Sequence, residues 1–335
     1  VTQNTAFIAL DAMGGDHAPE PMVQGALDAV RLDGRAVLLF GRRESLEPLL
    51  KGVDYPVDRL KVVHCPDLVP MNAKPARAMR QSESSMARCF KAVKEGDAVA
   101  GVSAGNSGAT MALALRYLGR ISGVTRPAIC LTMPGIGGPR LLLDAGANAS
   151  CTAEMLAQFA LMADCYARAV FAMDSPRVAV LSNGEEEGKG TELTKAAFEH
   201  ISQTPLNFVG YCEGRDLFTD AVDVIVTDGF TGNVALKTLE GTARFIVAQL
   251  KVEIGGSLLA MAGAMLAKGA FEGLKETLDP SQYGGAPLLG LNGPAIIAHG
   301  SSDALAIRSA IRVAQRCAEQ DLTVQIESAL SQLTA

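Results

Sequence analysis

Tryptophan is absent from the 335-residue chain, and aromatic residues make up only 5% of it. A protein that stacks bases on aromatic platforms is poorly served by that supply. There is no basic excess either, since 30 Lys and Arg stand against 36 Asp and Glu for a formal charge of -6. Nucleic-acid-binding domains carry the opposite balance, so no nucleic-acid partner is expected. The seven cysteines, at 65, 89, 130, 151, 165, 212 and 317, form no C-x-x-C pair and no zinc spacing. An odd, scattered set predicts reduced thiols in a cytoplasm and no metal site. The opening VTQNTAFIALDAMGGD lacks a basic region and a long apolar run, so no secretory signal is expected. No stretch reaches the ~20 apolar residues of a membrane span; the most apolar piece is 257–267. No Gly-Lys-Ser/Thr follows a glycine loop, and no G-x-G-x-x-G follows the first strand. ATP and NAD are therefore not indicated, and no cofactor is expected.

What is present is a large apolar fraction, 48%, and 34 glycines gathered in short motifs rather than repeats. A chain near this length buries roughly three quarters of its unfolded surface, enough for a substantial core. Short apolar runs at 6–10, 36–40, 60–63, 98–102, 128–132, 141–144, 177–181 and 222–227 read as strands. Several are apolar on both faces, as strands covered on two sides are. Helical patterns lie between them near 20–32, 76–95, 108–118, 189–203 and 231–251, and a last one covers 302–333. The alternation predicts βαβ units and a mainly parallel sheet. With no linker-like stretch, one continuous α/β domain over 1–335 is the expected organisation.

Two segments have open meanings. Over 152–173, Met155, Phe159, Met162, Tyr166 and Val170 follow the spacing of one helix face. An ordinary core helix is favoured over a dimer face. The segment 255–285 is rich in glycine, and within it Leu258, Leu259, Met261, Met265 and Leu266 share one helical arc. It reads as an internal helix, a mobile apolar flap, or a piece resting on a bilayer, although few basic residues accompany it.

Two turns share a design. The strand ending at Val102 runs into Ser103-Ala-Gly105-Asn106-Ser107-Gly108, and the one ending at Thr227 runs into Asp228-Gly-Phe-Thr231-Gly232-Asn233. Each places glycine, a hydroxyl and an asparagine at a helix N-terminus, where free N–H groups and the helix dipole favour an anion. Simple N-capping explains one such turn. Two, at the carboxyl ends of parallel strands, point to a phosphate-like site. The first strand leads into Asp11-Ala-Met-Gly14-Gly15-Asp16-His17, and another ends in Asp144-Ala-Gly146-Ala-Asn148. Lys189 lies between two glycines after an acidic run and can reach an anion; His299 stands ahead of the last helix in His299-Gly-Ser-Ser. Lys74, Arg77 and Arg80 form a basic cluster. Arg308, Arg312 and Arg316 recur every four residues along one helix face. Such a stripe is ordinarily solvated surface, and its sharper reading is a dock for an acidic partner.

In this order the motifs IALDAMGGDHAPE (8–20), KPARAMR (74–80), GVSAGNSGA (101–109), LLLDAGANA (141–149), GEEEGKG (184–190), NFVGYCEGRD (207–216), DGFTGN (228–233), YGGAPLLGLNG (283–293) and HGSS (299–302) resemble the phosphate acyltransferase family of bacterial phospholipid synthesis. That family commonly has Thr where Ser107 stands and often Ser where Ala76 stands. The resemblance implies a three-layer α/β/α fold related to phosphotransacetylases and isopropylmalate dehydrogenases. It implies transfer of a long-chain acyl group from acyl carrier protein to inorganic phosphate, giving acyl phosphate for a membrane glycerol-3-phosphate acyltransferase. It also implies a homodimer that is cytoplasmic and peripherally membrane-associated.

Residue type and placement then give expected roles. Ser103, Gly105, Asn106, Ser107 and Gly108 hold phosphate. Lys189 and Asn233 stabilise charge around the carbonyl, and Asp11, Asp16 and Asp228 orient donors. His299 protonates the leaving thiolate. The arginine stripe 308, 312 and 316 meets the carrier protein, and Leu258, Leu259, Met265 and Leu266 meet the membrane. A phosphotransacetylase-like enzyme acting on coenzyme A thioesters and a non-catalytic carrier-binding scaffold are the alternatives. A dehydrogenase lacks its fingerprint.

Overall fold

The computed structural model describes residues 6–186, 188–271, 273 and 283–333. Its strands form two sheets. The first has the order β3-β2-β1-β4-β12-β11-β5, built from β1 (Phe7–Asp11), β2 (Ala36–Gly41), β3 (Leu60–His64), β4 (Ala100–Ser103), β5 (Ala128–Ile129), β11 (Ala286–Leu289) and β12 (Ala295–Ile297). The second has the order β6-β7-β10-β8-β9, from β6 (Leu131–Met133), β7 (Arg140–Leu143), β8 (Val178–Leu181), β9 (Phe208–Cys212) and β10 (Val224–Val226). Among the described strands, antiparallel pairing joins β11 to its two neighbours and β6 to β7. The expected α/β class with parallel-dominated sheets and flanking helices is what forms.

The burial pattern explains the layers. Along β1, Ile8 and Leu10 join one apolar cluster with Met22 and Ala26 of α1 (Glu20–Asp33) and with Ile307 and Ile311 of the helix Ala304–Glu319. Ala9, between them, joins Cys89 and Ala92 of α4 (Ser85–Glu95) on the opposite face. Successive side chains point to opposite faces of a strand, so a strand apolar at every position requires helices on both sides.

Helix α6 (Ala153–Phe171) settles the first open segment. Met155, Phe159, Met162, Tyr166 and Val170 are all buried within the chain, in the cluster that also takes Leu143, Val180 and Val226 of the second sheet. The core reading holds because α6 lies where both sheets need covering.

The sequence pattern and the structure part at several places. The expected strand 128–132 is two strands divided at Cys130, one in each sheet, and its uniform apolar character carried no sign of the crossover. The expected helix 76–95 is a short α3 (Pro75–Ala78) and then α4, which restarts where the Ser84 side chain accepts from the Ala87 N–H. Four further helices are α2 (Arg43–Leu50), α5 (Ser107–Leu118), α7 (Glu192–Ser202) and α8 (Gly229–Gly255). Beyond α8 come α9 (Leu258–Leu266), α10 (Ala304–Glu319) and α11 (Leu322–Leu333), so the expected helix 302–333 is also two. Glu187, in the acidic motif, and 272 and 274–282, in the glycine-rich segment 255–285, lie outside the described residues.

Topology decides where the loops meet. β5 is antiparallel to β11, which is antiparallel to β12, so β5 runs with β1, β4 and β12. At its carboxyl end the Ile129 N–H donates to Asp144 Oδ1 at 3.1 Å, and the Ala145 N–H donates to the Ile129 carbonyl at 3.0 Å. The carboxyl ends of β5 and β7, one strand from each sheet, therefore meet at this joint.

Candidate active site at the strand ends

The first cluster is built on Asp11, which is fully buried at the end of β1 and sits beside Ser103 at the end of β4. Ser103 Oγ donates to Asp11 Oδ2 at 2.8 Å, the Gly105 N–H donates to Ser103 Oγ at 3.1 Å, and the Met13 N–H donates to Asp11 Oδ1 at 3.2 Å. Burial pushes the Asp11 carboxyl up, and the hydroxyls of Ser85 and Ser103 with the N–H groups of Met13 and Gly14 pull the other way. Asn106 caps α5: its Oδ1 accepts the Ala109 N–H at 2.9 Å, and its Nδ2 donates to the Met71 carbonyl at 2.7 Å. Both the capping reading and the loop-end placement of Asn106 are thus observed. Ser107 and Gly108 open the helix, where backbone N–H groups have no intrahelical acceptor. The Ser107 side chain is exposed. Ser103 and Asn106 shape the turn, and among the described residues the N–H groups of 107 and 108 have no acceptor.

On the other flank of this cluster the Asp16 N–H donates to the Gly300 carbonyl at 2.7 Å. His299 is exposed; its Nδ1 accepts the Ser301 N–H at 3.2 Å and lies 2.8 Å from Ser301 Oγ. With Nδ1 accepting, the ring proton is on Nε2.

The second cluster is built on Asp144, fully buried at the end of β7. Besides Ile129, its carboxylate accepts the N–H groups of Gly146 at 3.1 Å, Ala147 at 2.9 Å and Asn148 at 2.7 Å, and Asn148 Nδ2 at 2.9 Å. The turn so fixed grips the start of α8. The Gly229 N–H donates to the Asn148 carbonyl at 2.8 Å, and Asp228 accepts the Thr231 N–H at 2.9 Å and its hydroxyl at 2.7 Å. Asn233 lies against Gly146 with its side chain exposed. The two turns that share a sequence design therefore differ: among the described residues, acceptors outside the helix ladder take up the N–H groups of Gly229 and Thr231 at the start of α8, and only that of Ala109 at the start of α5.

Lys189 sits on the loop after β8. Asn183 Oδ1 accepts the Gly190 N–H at 2.9 Å, and the Lys189 stem runs over Gly184, its Cγ 2.9 Å from where a Cβ there would stand. Arg215 reaches the same loop through Glu185 at 3.4 Å. The ammonium group is carried on an exposed residue with its stem supported.

A family model described as a fatty acid synthesis protein matches residues 6–325. A phosphate acyltransferase of Anaeromyxobacter sp. (strain Fw109-5) is 49% identical over 331 residues, covering 97% of this chain and 91% of that one. Another, from Acidobacterium capsulatum, is 47% identical and covers 96% of each. The chain belongs to the phosphate acyltransferase family. Its activity is that of an enzyme, which removes the scaffold alternative. Among solved structures, a phosphotransacetylase from Streptococcus pyogenes superposes with a TM-score of 0.63 at 17% identity, covering 94% of each chain. A 4-hydroxythreonine-4-phosphate dehydrogenase from Klebsiella pneumoniae gives 0.56 at 15% identity, covering 94% of this chain and 100% of that one. These likenesses concern the fold.

For a phosphate acyltransferase, a covalent thiol step is one route to consider. All seven cysteines are free, and burial pushes each thiol up, Cys151 to about 11 and Cys65 to about 12. Protonated thiols are poor nucleophiles. The arginine stripe divides: Arg308 makes a two-point pair with Asp33 at 2.8 Å for each contact, while Arg312 and Arg316 are exposed. Leu258, Leu259, Met265 and Leu266 are 83%, 84%, 74% and 92% exposed on α9. No single described helix is long and apolar enough to cross a membrane; α8 and α9, bent by 119°, pass that test only as a pair.

Sequence reasoning gave Asp144 no role. Its signal is the Asp-x-Gly-x-Asn pattern at a strand end, which presents successive N–H groups to the aspartate's own carboxylate.

Proposed function

We propose that this enzyme moves a long-chain acyl group from the thioester of acyl carrier protein to inorganic phosphate, supplying acyl phosphate for phospholipid synthesis. The observation that carries the reading is the α5 turn, where the buried Asp11–Ser103 pair supports a backbone whose N–H groups at Ser107 and Gly108 stay open to an anion. Phosphate held there attacks the thioester carbon. A C–O bond forms, and the carbonyl electrons move to oxygen, where Lys189 and Asn233 offset the charge. The C–S bond then breaks; His299 Nε2–H donates a hydrogen bond to the departing thiolate, which takes up the proton that the attacking hydrogen phosphate gives up. A thioester is already activated, so positioning and charge stabilisation are the main demands on the site.

The test measures thiol released from palmitoyl carrier protein with and without phosphate. Release only with phosphate is expected; equal release without it would remove the reading. Preference for a coenzyme A thioester in the same assay would instead favour phosphotransacetylase-like chemistry. Lys189→Ala should lower kcat/KM by about 100-fold, the scale for losing one oxyanion donor. Its far-UV circular dichroism should not change, because the residue is exposed. A variant within threefold of the parent would take Lys189 out of the mechanism.

The exposed α9 serves a peripheral membrane contact in this proposal, releasing the acyl product near the bilayer. Each leucine taken from water contributes about 1.5–3 kcal/mol. Leu258→Glu with Leu259→Glu should therefore weaken binding to phosphatidylglycerol vesicles at least tenfold, while soluble thiol release stays within twofold. Undiminished sedimentation with vesicles would exclude this contact. A second copy of the chain along α8 would cover Phe245, Ile246 and Leu250, which are exposed in one copy.

A further inference from the structure

We infer that Lys74, Arg77 and Arg80 form the surface on which the acidic carrier protein docks, in place of the stripe on α10; this rests on the reading proposed above. All three side chains are exposed, and among the described residues none has a hydrogen-bond or ion-pair partner. The acid next in the chain, Glu83, is already paired with Arg88 at 3.6 Å. The patch therefore presents positive charge on a protein whose overall charge is -6. A local field of this kind is what draws an acidic partner to one face of an acidic protein.

Position distinguishes this patch from the stripe. The segment bearing it is tethered to the open α5 turn by the bond from Asn106 Nδ2 to the Met71 carbonyl. Pro75, between Lys74 and Arg77, lies against the turn itself: its Cγ is 3.2 Å from where a Cβ on Gly108 would stand. Met71 also reaches the loop of His299, with its Cε 2.8 Å from the corresponding point on Gly300. A carrier held here would have its thioester arm beside both the open N–H groups and the His299 donor. On α10, Arg308 is held by Asp33, which leaves two of the three stripe cations for a partner.

The experiment compares the parent with K74E/R77E/R80E and its neutral counterpart K74Q/R77Q/R80Q. The donors are palmitoyl carrier protein and the uncharged thioester palmitoyl pantetheine, each assayed at low and high salt. For the carrier thioester, kcat/KM should fall at least tenfold in the charge-reversed variant and less in the neutral one. The fall with salt seen for the parent should flatten. For the pantetheine thioester, all three proteins should agree within twofold. An unchanged rate on the carrier thioester overturns the inference, as does an equal loss on both donors. A loss on the carrier thioester in R312E/R316E without one in the 74–80 variants also overturns it, in favour of the stripe. If the parent itself releases no thiol from either donor in response to phosphate, the proposed function fails rather than the docking surface.

Discussion

Asp144→Ala is expected to lower the unfolding free energy by about 4 kcal/mol. The carboxylate accepts the N–H groups of Ile129, Gly146, Ala147 and Asn148 and the Asn148 amide. A fully buried donor left without an acceptor costs about 1–3 kcal/mol; these donors are half-buried or, at Gly146, exposed, so water recovers part of the sum. Asp144→Asn keeps one acceptor oxygen and should lose roughly half as much. Urea unfolding measures both. The same turn holds Asn233 through Gly146, so Asp144→Asn should also reduce kcat while the enzyme is still fully folded. A loss below about 1 kcal/mol for the alanine variant would show that the donors find other acceptors, and the joint between the sheets would then have another basis.

The second large effect opposes helix propensity. Gly232 lies in the first turns of α8, where alanine would ordinarily stabilise a helix by about 1 kcal/mol. A Cβ at this position would fall on the Asp144 carbonyl oxygen and 3.0 Å from its carbonyl carbon. Both groups are backbone, so neither can swing aside. Overpacking of this kind costs about 1–3 kcal/mol, occasionally more, and it outweighs the propensity gain. Gly232→Ala should therefore destabilise by about 2 kcal/mol or more. Gly241→Ala in the same helix, where nothing lies within 4 Å of the added carbon, should stabilise by up to about 1 kcal/mol. Thermal unfolding of the pair separates crowding from propensity by sign. A stabilising Gly232→Ala would mean that α8 can shift away from the β7 turn.

Both predictions rest on packing that the strand-end motifs only hinted at. The Asp11 and Asp144 motifs are visible as aspartate–glycine turns, yet their burial and their donor sets follow from neighbours far away in sequence. Ser103 reaches Asp11 across 92 positions. For the same reason Arg308 reads as part of a free basic stripe until Asp33, 275 positions away, is seen to hold it. A periodic pattern shows which side chains share a face and is silent about what stands opposite that face.

The sequence by itself determined the α/β class, the positions of most buried strands, the capped turns at 106 and 228, and the family, because these follow from local periodicity, turn chemistry and ordered motifs. Only the tertiary structure decided that the strands divide between two sheets at Cys130, that the α8 turn takes up more of its donors within the chain than the α5 turn does, and that the exposed cations of 74–80 stand on a segment bonded to the α5 turn. The reason is physical: whether a donor is free or satisfied, and whether a charge is paired, depends on contacts that long-range packing alone creates.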